Sequence, residues 1–172
     1  FYHITFDCWN RQLTHQSIQI HNTELRRCTM LGSKTAFMTN IVSTGVHIWK
    51  IQVIQPGYHD LIGIESINSL QLTNFNFYHQ QINRCIYFGK FTRFQTMTND
   101  IFIKSKDILQ MKVDFVDLQL SFFRNNTFLE TQHIIKGEYR AAICLSEANV
   151  KFKLLEYKYY CCLLYTSDAA DD

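Results

Sequence analysis

The chain has 172 residues, 47% of them apolar, so it is long enough to bury one sizeable core but short for two domains of ordinary size. Its 17 lysines and arginines stand against 15 aspartates and glutamates, and a net charge of +2 gives no long-range field to select nucleic acid or an anionic membrane as a partner. No stretch approaches the roughly 18 apolar residues that cross a bilayer, and residues 1–30 lack the pattern of a signal peptide, so we expect a cytoplasmic protein.

Short segments in which apolar and polar residues alternate run along the chain, and this alternation is typical of half-buried β-strands. The strand candidates in chain order are 3–7, 17–21, 25–30, 46–54, 60–65, 85–88, 101–103, 107–115, 118–124, 128–134, 139–146 and 149–157. Segment 46–54 is the clearest, with Trp49, Ile51 and Val53 on one side. A tryptophan in that position is typical of a core residue.

No window of ten or more residues has the apolar spacing of a helix. About a dozen short strands without helix predict an all-β fold, and a β-sandwich of two antiparallel sheets is favoured because one sheet of that width would leave a large apolar face in water. We expect turns near residues 116–117 and at Asn125-Asn126, because asparagine tolerates positive φ.

Motifs for catalysis or metal binding are weak. Gly32-Ser33-Lys34-Thr35 resembles half of a phosphate loop, but Arg27 stands where its first glycine is required, so a turn is expected. Asp114 and Asp117 lie in a predicted hairpin, where an aspartate serves turn hydrogen bonds. The six cysteines include no CxxC pair and the seven histidines no helical metal spacing. We therefore expect a non-enzyme with buried reduced thiols and no metal or other cofactor.

Residues 68–93 combine aromatic and arginine side chains with Asn, Gln and Thr, and their alternation is weak. Aromatic residues and arginine dominate interface hot spots, which favours a binding loop. An irregular pair of strands packed onto the sandwich is the alternative, and the residues alone leave both open.

Five segments together resemble the SPRY domain family. Residues 43–53 resemble its "S/T-G-x-H-Y-W-E-V-x-V" strand, 61–64 its "h-h-G-h" strand, 106–115 its "G-D-h-I-G-h-x-h-D" motif, 120–126 its "L-S-F-F-x-N-G" hairpin, and 139–145 its "Y-x-P-A-V-S-L" strand. Their order and spacing also agree, over about residues 3–157. Departures from the pattern are Ile48, Lys50, Lys106, Gln110, Asn126 and Arg140. Lys106 replaces a turn glycine, at a strain cost of about 1 kcal/mol if the backbone is kept.

The resemblance implies a divergent SPRY domain: a protein-interaction module whose end loops capture a peptide or surface patch of a partner protein, with no nucleic acid, membrane or metal partner. Recognition of substrates for ubiquitin ligation is one role open to such a domain. The candidate site residues are Phe75, Phe77, Tyr78, Arg84, Arg93, Ser146 and Glu147. Related domains often carry a Trp-Gly pair near the last two, and this chain lacks it. The alternative function is a carbohydrate-binding, lectin-like sandwich, with residues 74–79 stacking on a sugar.

The end of the chain differs from the rest. From Cys162 onward the sequence resembles a translated sequencing adapter, and its small, acidic composition after Tyr165 has no core pattern. We therefore expect a SPRY-like domain over residues 1–160 and a non-native or disordered tail over 161–172. Because the chain begins with Phe1, we also expect further sequence upstream.

Overall fold

The computed structural model describes residues 2–3, 6–29, 32, 34–57, 60–67, 85–88 and 103–161. Within these ranges there are twelve strands and no α-helix. The strands are β1 (Tyr2–His3), β2 (Ile18–His21), β3 (Glu24–Arg27), β4 (Lys34–Phe37), β5 (Val46–Gln55), β6 (Leu61–Ser66), β7 (Cys85–Phe88), β8 (Ile108–Asp114), β9 (Gln119–Arg124), β10 (Thr127–His133), β11 (Tyr139–Leu145) and β12 (Lys151–Tyr160).

The described strands form two antiparallel sheets. The large sheet has the order β10-β9-β8-β5-β12-β3-β2, with β1 paired to the end of β12, and the small sheet has the order β4-β11-β6-β7. The predicted all-β sandwich is confirmed. None of the described residues lies in a helix that could span a membrane.

The core lies between the sheets because each long strand turns its apolar side inward. Every inward framework residue of the predicted alternation is buried: Trp49, Ile51, Val53, Leu109, Met111, Val113, Leu120, Phe122, Val150, Phe152 and Leu154. Trp49 is 0% exposed, and its indole Nε1 donates a hydrogen bond to the buried Asp7 carboxylate over 2.9 Å. The interpretation of Trp49 as a core residue is thereby confirmed.

The turns follow the sequence prediction closely. Asn125 and Asn126 have φ of 48° and 65°, and Asp114 Oδ1 accepts the amides of Val116 and Asp117 over 2.9 and 3.1 Å. Lys106 keeps the glycine-like backbone of the motif, with a φ of 75°. Its amide donates to the Val53 carbonyl over 2.8 Å, and this cross-strand bond offsets part of the strain.

Several predicted details are wrong. The sequence does not predict strand β4, and the turn expected over 32–35 is wrong for Lys34 and Thr35, which begin this strand. Thr35, Ala36 and Phe37 are all buried, so the strand shows no alternation. Conversely, Phe6 and Asp7 of candidate 3–7 are not in a strand, and β3 ends at Arg27 rather than at residue 30. Ile103 is also outside any strand, while residues 101–102 lie outside the described part.

The expectation of buried thiols holds only in part. Cys144 is buried, but Cys28 is exposed and Cys8 is half-buried. These three thiols and that of Cys161 are free of disulfide bonds.

Candidate interaction site

One end of the sandwich, which we call the loop end, gathers several strand termini. The register pairs Lys151 with Gln55, Cys144 with Leu61, and Leu145 with Lys34. The turns that follow β5 and β11 therefore meet at this end. The turn after β11 contains the predicted site residues Ser146, which is half-buried, and Glu147, which is exposed.

A buried carboxylate joins the two turns. Asp60 lies just before β6 and is 5% exposed. Its Oδ1 accepts the backbone amide and the hydroxyl of Ser146, each over 2.9 Å, and its Oδ2 accepts the backbone amide of Gly57. Three donors on one carboxylate hold a segment of the β5–β6 turn against the β11–β12 turn, 86 positions away in the sequence. A hydrogen bond to a charged group contributes about 1.5–3 kcal/mol.

The close packing around this carboxylate requires a glycine. A Cβ added at Gly57 would lie 2.4 Å from Ser146 Oγ, 2.7 Å from Val150 Cγ2 and 2.8 Å from Asp60 Oδ1. Burial raises the pKa of the Asp60 carboxyl above its ordinary value, the hydrogen bonds from Ser146 and Gly57 oppose that rise, and the nearby charge of Glu147 adds to it. We call Gly57, Asp60 and Ser146 the loop clamp.

Beside the loop clamp, a fully buried arginine braces the same turns. Arg27 is 0% exposed, and its Nη1 and Nη2 donate to the carbonyls of Leu145 and Gly32 over 3.1 and 2.7 Å. Its own backbone bonds Val150 and Asn149 in the β11–β12 turn. Burial lowers the pKa of the guanidinium, which stays protonated at neutral pH all the same. Arg27 thus links the turn after β3 to the turn that carries Glu147.

The remaining predicted site residues lie outside the described part of the chain: Phe75, Phe77, Tyr78, Arg84 and Arg93. Only the strands that flank them can be placed. Glu65 pairs with Cys85, so the ends of β6 and β7 that residues 68–84 connect lie away from the loop end. Ile62 pairs with Phe88, so residues 89–102, which include Arg93, leave β7 at the loop end. The path between these strand ends is not described.

Solved structures of SPRY domains share this fold. The SPRY domain of human HERC1 superposes with a TM-score of 0.62 at 14% sequence identity, over 86% of this chain and 97% of that domain. The chain has a SPRY-like fold. The neuralized NHR1 domain of Drosophila melanogaster gives a TM-score of 0.60 at 11% identity, over 87% of this chain and 98% of that domain. The PSpry domain of TRIM65 gives 0.58 at 8% identity, over 87% and 92%. No family model matches the sequence, and no curated protein matches it significantly.

Sequence reasoning missed the two residues that organise the loop end. Asp60 stands one position before the "h-h-G-h" segment, where an acidic residue is indistinguishable from an ordinary turn residue. Arg27 lies in strand candidate 25–30, but sequence reasoning assigns it no role except as the wrong residue for a phosphate loop. A signal that could have drawn attention to it is its alternation with Leu25, which places a charged side chain on the inward side of β3. Among the described residues, no group of three His, Cys, Asp or Glu could hold a metal ion.

Proposed function

We propose that this SPRY-like domain is a non-enzymatic protein-interaction module that captures a peptide or surface patch of a partner protein at its loop end. The loop clamp carries the proposal. Turns that emerge from a sandwich are the usual place for recognition, because a rigid scaffold can hold them while their side chains vary. Here one buried carboxylate and one buried guanidinium fasten the turns of three strand connections, so little ordering entropy remains to be lost on binding.

Within this proposal the two predicted residues of the β11–β12 turn have different roles. Ser146 directs both its amide and its hydroxyl to Asp60, so it positions the turn. Glu147 is exposed beside it and would contact the partner. Arg93 follows β7, which ends at the loop end, and stays a candidate contact residue there. Phe75, Phe77, Tyr78 and Arg84 precede β7, whose first residue lies away from the loop end. They stay candidates for a further contact, because aromatic and guanidinium groups are the commonest hot-spot anchors.

The setting that we propose is the cytoplasm, and the reduced thiols of Cys8, Cys28 and Cys161 support a reducing compartment. A role in recognising substrates for ubiquitin ligation depends on neighbouring sequence, and it belongs to the same proposal. The lectin-like alternative depends on residues 74–79, which are not described, and no described feature favours it.

A displayed library of random peptides selected on the immobilised chain tests the proposal. We expect a peptide family whose affinity falls about tenfold or more in Glu147→Lys, with a melting temperature near that of the parent. The Tyr78→Ala/Arg84→Ala double variant tests the further contact, and a similar loss at an unchanged melting temperature would support it. Glu138→Lys is the matched control, because it makes the same charge change at an exposed position outside the loop end.

Equal loss of binding in Glu147→Lys and Glu138→Lys would show a response to net charge, and would contradict recognition by the loop end. Unfolding of the Tyr78→Ala/Arg84→Ala variant would mean that residues 68–93 are structural, in which case Glu147→Lys alone decides. Selection of glycans on an array, with no peptide family, would replace the proposal by the lectin-like alternative.

A further inference from the structure

The outward face of the large sheet carries a band of side chains that no described strand covers. The register across β12, β5, β8, β9 and β10 aligns Glu156, Lys50, Gln110, Phe123 and Phe128 in one row. The next row away from the loop end contains Lys158, Ile48, Lys112, Ser121 and Thr131. Five strands about 4.8 Å apart make each row about 19 Å long, the span of about six extended residues. We call these two rows, with Ile108 and Leu155, the outer band.

Cations are in excess on this face. The outward positions of the described strands of the large sheet carry six cations, namely Arg26, Lys50, Lys112, Lys151, Lys153 and Lys158, and three anions, namely Glu24, Asp114 and Glu156. The excess of three exceeds the net charge of +2 of the whole chain. The small net charge of the whole chain therefore coexists with a local excess of positive charge on this face.

The outer band itself has three lysines and a single carboxylate. Glu156 bridges Lys50 and Lys158, with N–O distances of 3.4 and 3.0 Å. Its desolvation alone would raise the pKa of the carboxyl, but the hydrogen bonds and charges of the two lysines outweigh that and hold the pKa below its ordinary value. One carboxylate cannot neutralise two ammonium groups, and Lys112 adds a third on the same face. The outer band is cationic at neutral pH.

Exposed apolar side chains lie beside these charges. A groove of about 410 Å³ is lined by Lys50, Ile108, Asn125, Asn126, Leu155 and Glu156. Ile108 is 37% and Leu155 43% exposed. Leu155 faces solvent because the register shifts between Leu154 and Glu156, which inserts one extra residue into β12. At the edge strand, Phe128 is 56% exposed and packs edge-to-face on Phe123, with 5.7 Å between ring centres.

We propose that the outer band is a second docking surface, separate from the loop end, for an extended acidic segment of a partner protein with aliphatic or aromatic side chains between its carboxylates. Its carboxylates pair with Lys50, Lys112 and Lys158, and its apolar side chains enter the groove between Ile108 and Leu155 and reach Phe128. The charge excess gives the sign of the partner. The groove gives the apolar component, which a purely electrostatic partner does not use.

Peptides of one length test both components. The probes are a fluorescent peptide that alternates glutamate and leucine, its lysine–leucine counterpart, and a glutamate–serine peptide. For wild-type protein we expect binding of the glutamate–leucine peptide alone, weakening as salt is added. The Lys112→Glu/Lys158→Glu variant should lose about tenfold or more of that affinity. Lys104→Glu/Lys136→Glu, with the same charge change at exposed positions off the band, should keep it.

A second pair of variants tests the groove. Leu155→Ser should weaken binding several-fold, whereas Val116→Ser, an exposed apolar residue in the β8–β9 turn, should not. Equal effects of the two lysine variants, no effect of Leu155→Ser, or equal binding of the glutamate–serine peptide would each overturn the proposal. Tighter binding to anionic lipid vesicles or to single-stranded nucleic acid than to the glutamate–leucine peptide would overturn it too, in favour of those partners.

Discussion

Two buried aspartates stabilise different regions of this sandwich: Asp60 lies at the loop end, and Asp7 lies against Trp49 in the core. Asp60, at the loop end, accepts hydrogen bonds from two backbone amides and one serine hydroxyl, all only partly buried. Asp7 accepts the amides of Cys8 and Asn40 and, through a fully buried bond, the indole of Trp49. Asp60 therefore fastens turns to each other, whereas Asp7 fastens the chain before β2 to the core.

Aromatic side chains also pack around Trp49. We call His47, Trp49, Tyr157 and Tyr159 the aromatic cluster. Since His47 Nε2 must donate to the Thr44 carbonyl over 2.7 Å, the Tyr157 hydroxyl donates to Nδ1, also over 2.7 Å. The His47 ring stacks on Tyr159 with 4.7 Å between ring centres. Burial lowers the pKa of His47 and keeps the ring neutral.

Under the proposed function, this difference separates the residues that stabilise the fold from those that serve recognition. The aromatic cluster couples its polar groups to the core, so a change there must cost folding free energy. The polar groups of the loop clamp position turns near solvent. Water can replace a hydrogen-bond partner that a substitution removes there. If the loop end binds the partner as proposed, changes there should alter binding while the core stays intact.

The largest expected effect is at the aromatic cluster. Trp49→Ala removes the largest fully buried side chain among the described residues and should lower the free energy of unfolding by about 3–5 kcal/mol. Urea unfolding monitored by circular dichroism measures it. An unchanged urea midpoint would mean that the stability of the core does not depend on Trp49. It would remove the contrast between the aromatic cluster and the loop clamp.

The aspartates themselves give the direct comparison. Asp7→Ala leaves the Trp49 indole and two amides without an acceptor, and should cost about 2–4 kcal/mol. Asp60→Ala should cost less, about 1–2 kcal/mol, because water reaches its partly buried donors. Hydrogen exchange should show faster exchange at the amides of Gly57 and Ser146 in Asp60→Ala only. A larger loss of stability in Asp60→Ala than in Asp7→Ala would contradict the assignment of Asp7 to the core and of Asp60 to the turns.

A pH dependence of moderate size should come from His47. Its pKa is lower in the folded chain than the ordinary 6.5, so the unfolded chain takes up the proton first as pH falls. The stability contributed by neutral His47 is complete above that value and is lost below it, by up to about 1.4 kcal/mol per pH unit. Urea midpoints of the parent and His47→Phe, compared across this range, should differ in slope below the ordinary value. Parallel curves would show that His47 does not titrate on unfolding.

The smallest effect is expected at the end of the chain. Tyr160 is the last residue of β12 and pairs with Val46 and Tyr2, so the strand is complete there. A chain that stops after Tyr160 should melt within about two degrees of the parent, because the residues removed follow the last strand and their sequence carries no core pattern. A large drop in the melting temperature would mean that residues 161–172 pack on the sandwich and belong to the domain.

The amino-acid sequence by itself determined the features that depend on neighbours along the chain. Alternation placed Trp49 and the apolar sides of β5, β8, β9 and β12 in the core, because successive side chains of a strand point to opposite faces. The paired asparagines and Asp114 specified their turns through their own backbone geometry and side-chain reach. From these local features came the all-β sandwich and its resemblance.

Tertiary structure alone decided what depends on distant pairs. The approach of Asp60 to Ser146, the burial of Arg27 among backbone carbonyls, and the alignment of Lys50, Lys112 and Lys158 in the outer band follow from strand order and register. The partners are separated by tens of positions, and apart from the alternation of Arg27 with Leu25 the sequence gives no sign that they meet. A local pattern reports which face a side chain takes, but strand pairing sets which other side chains share that face.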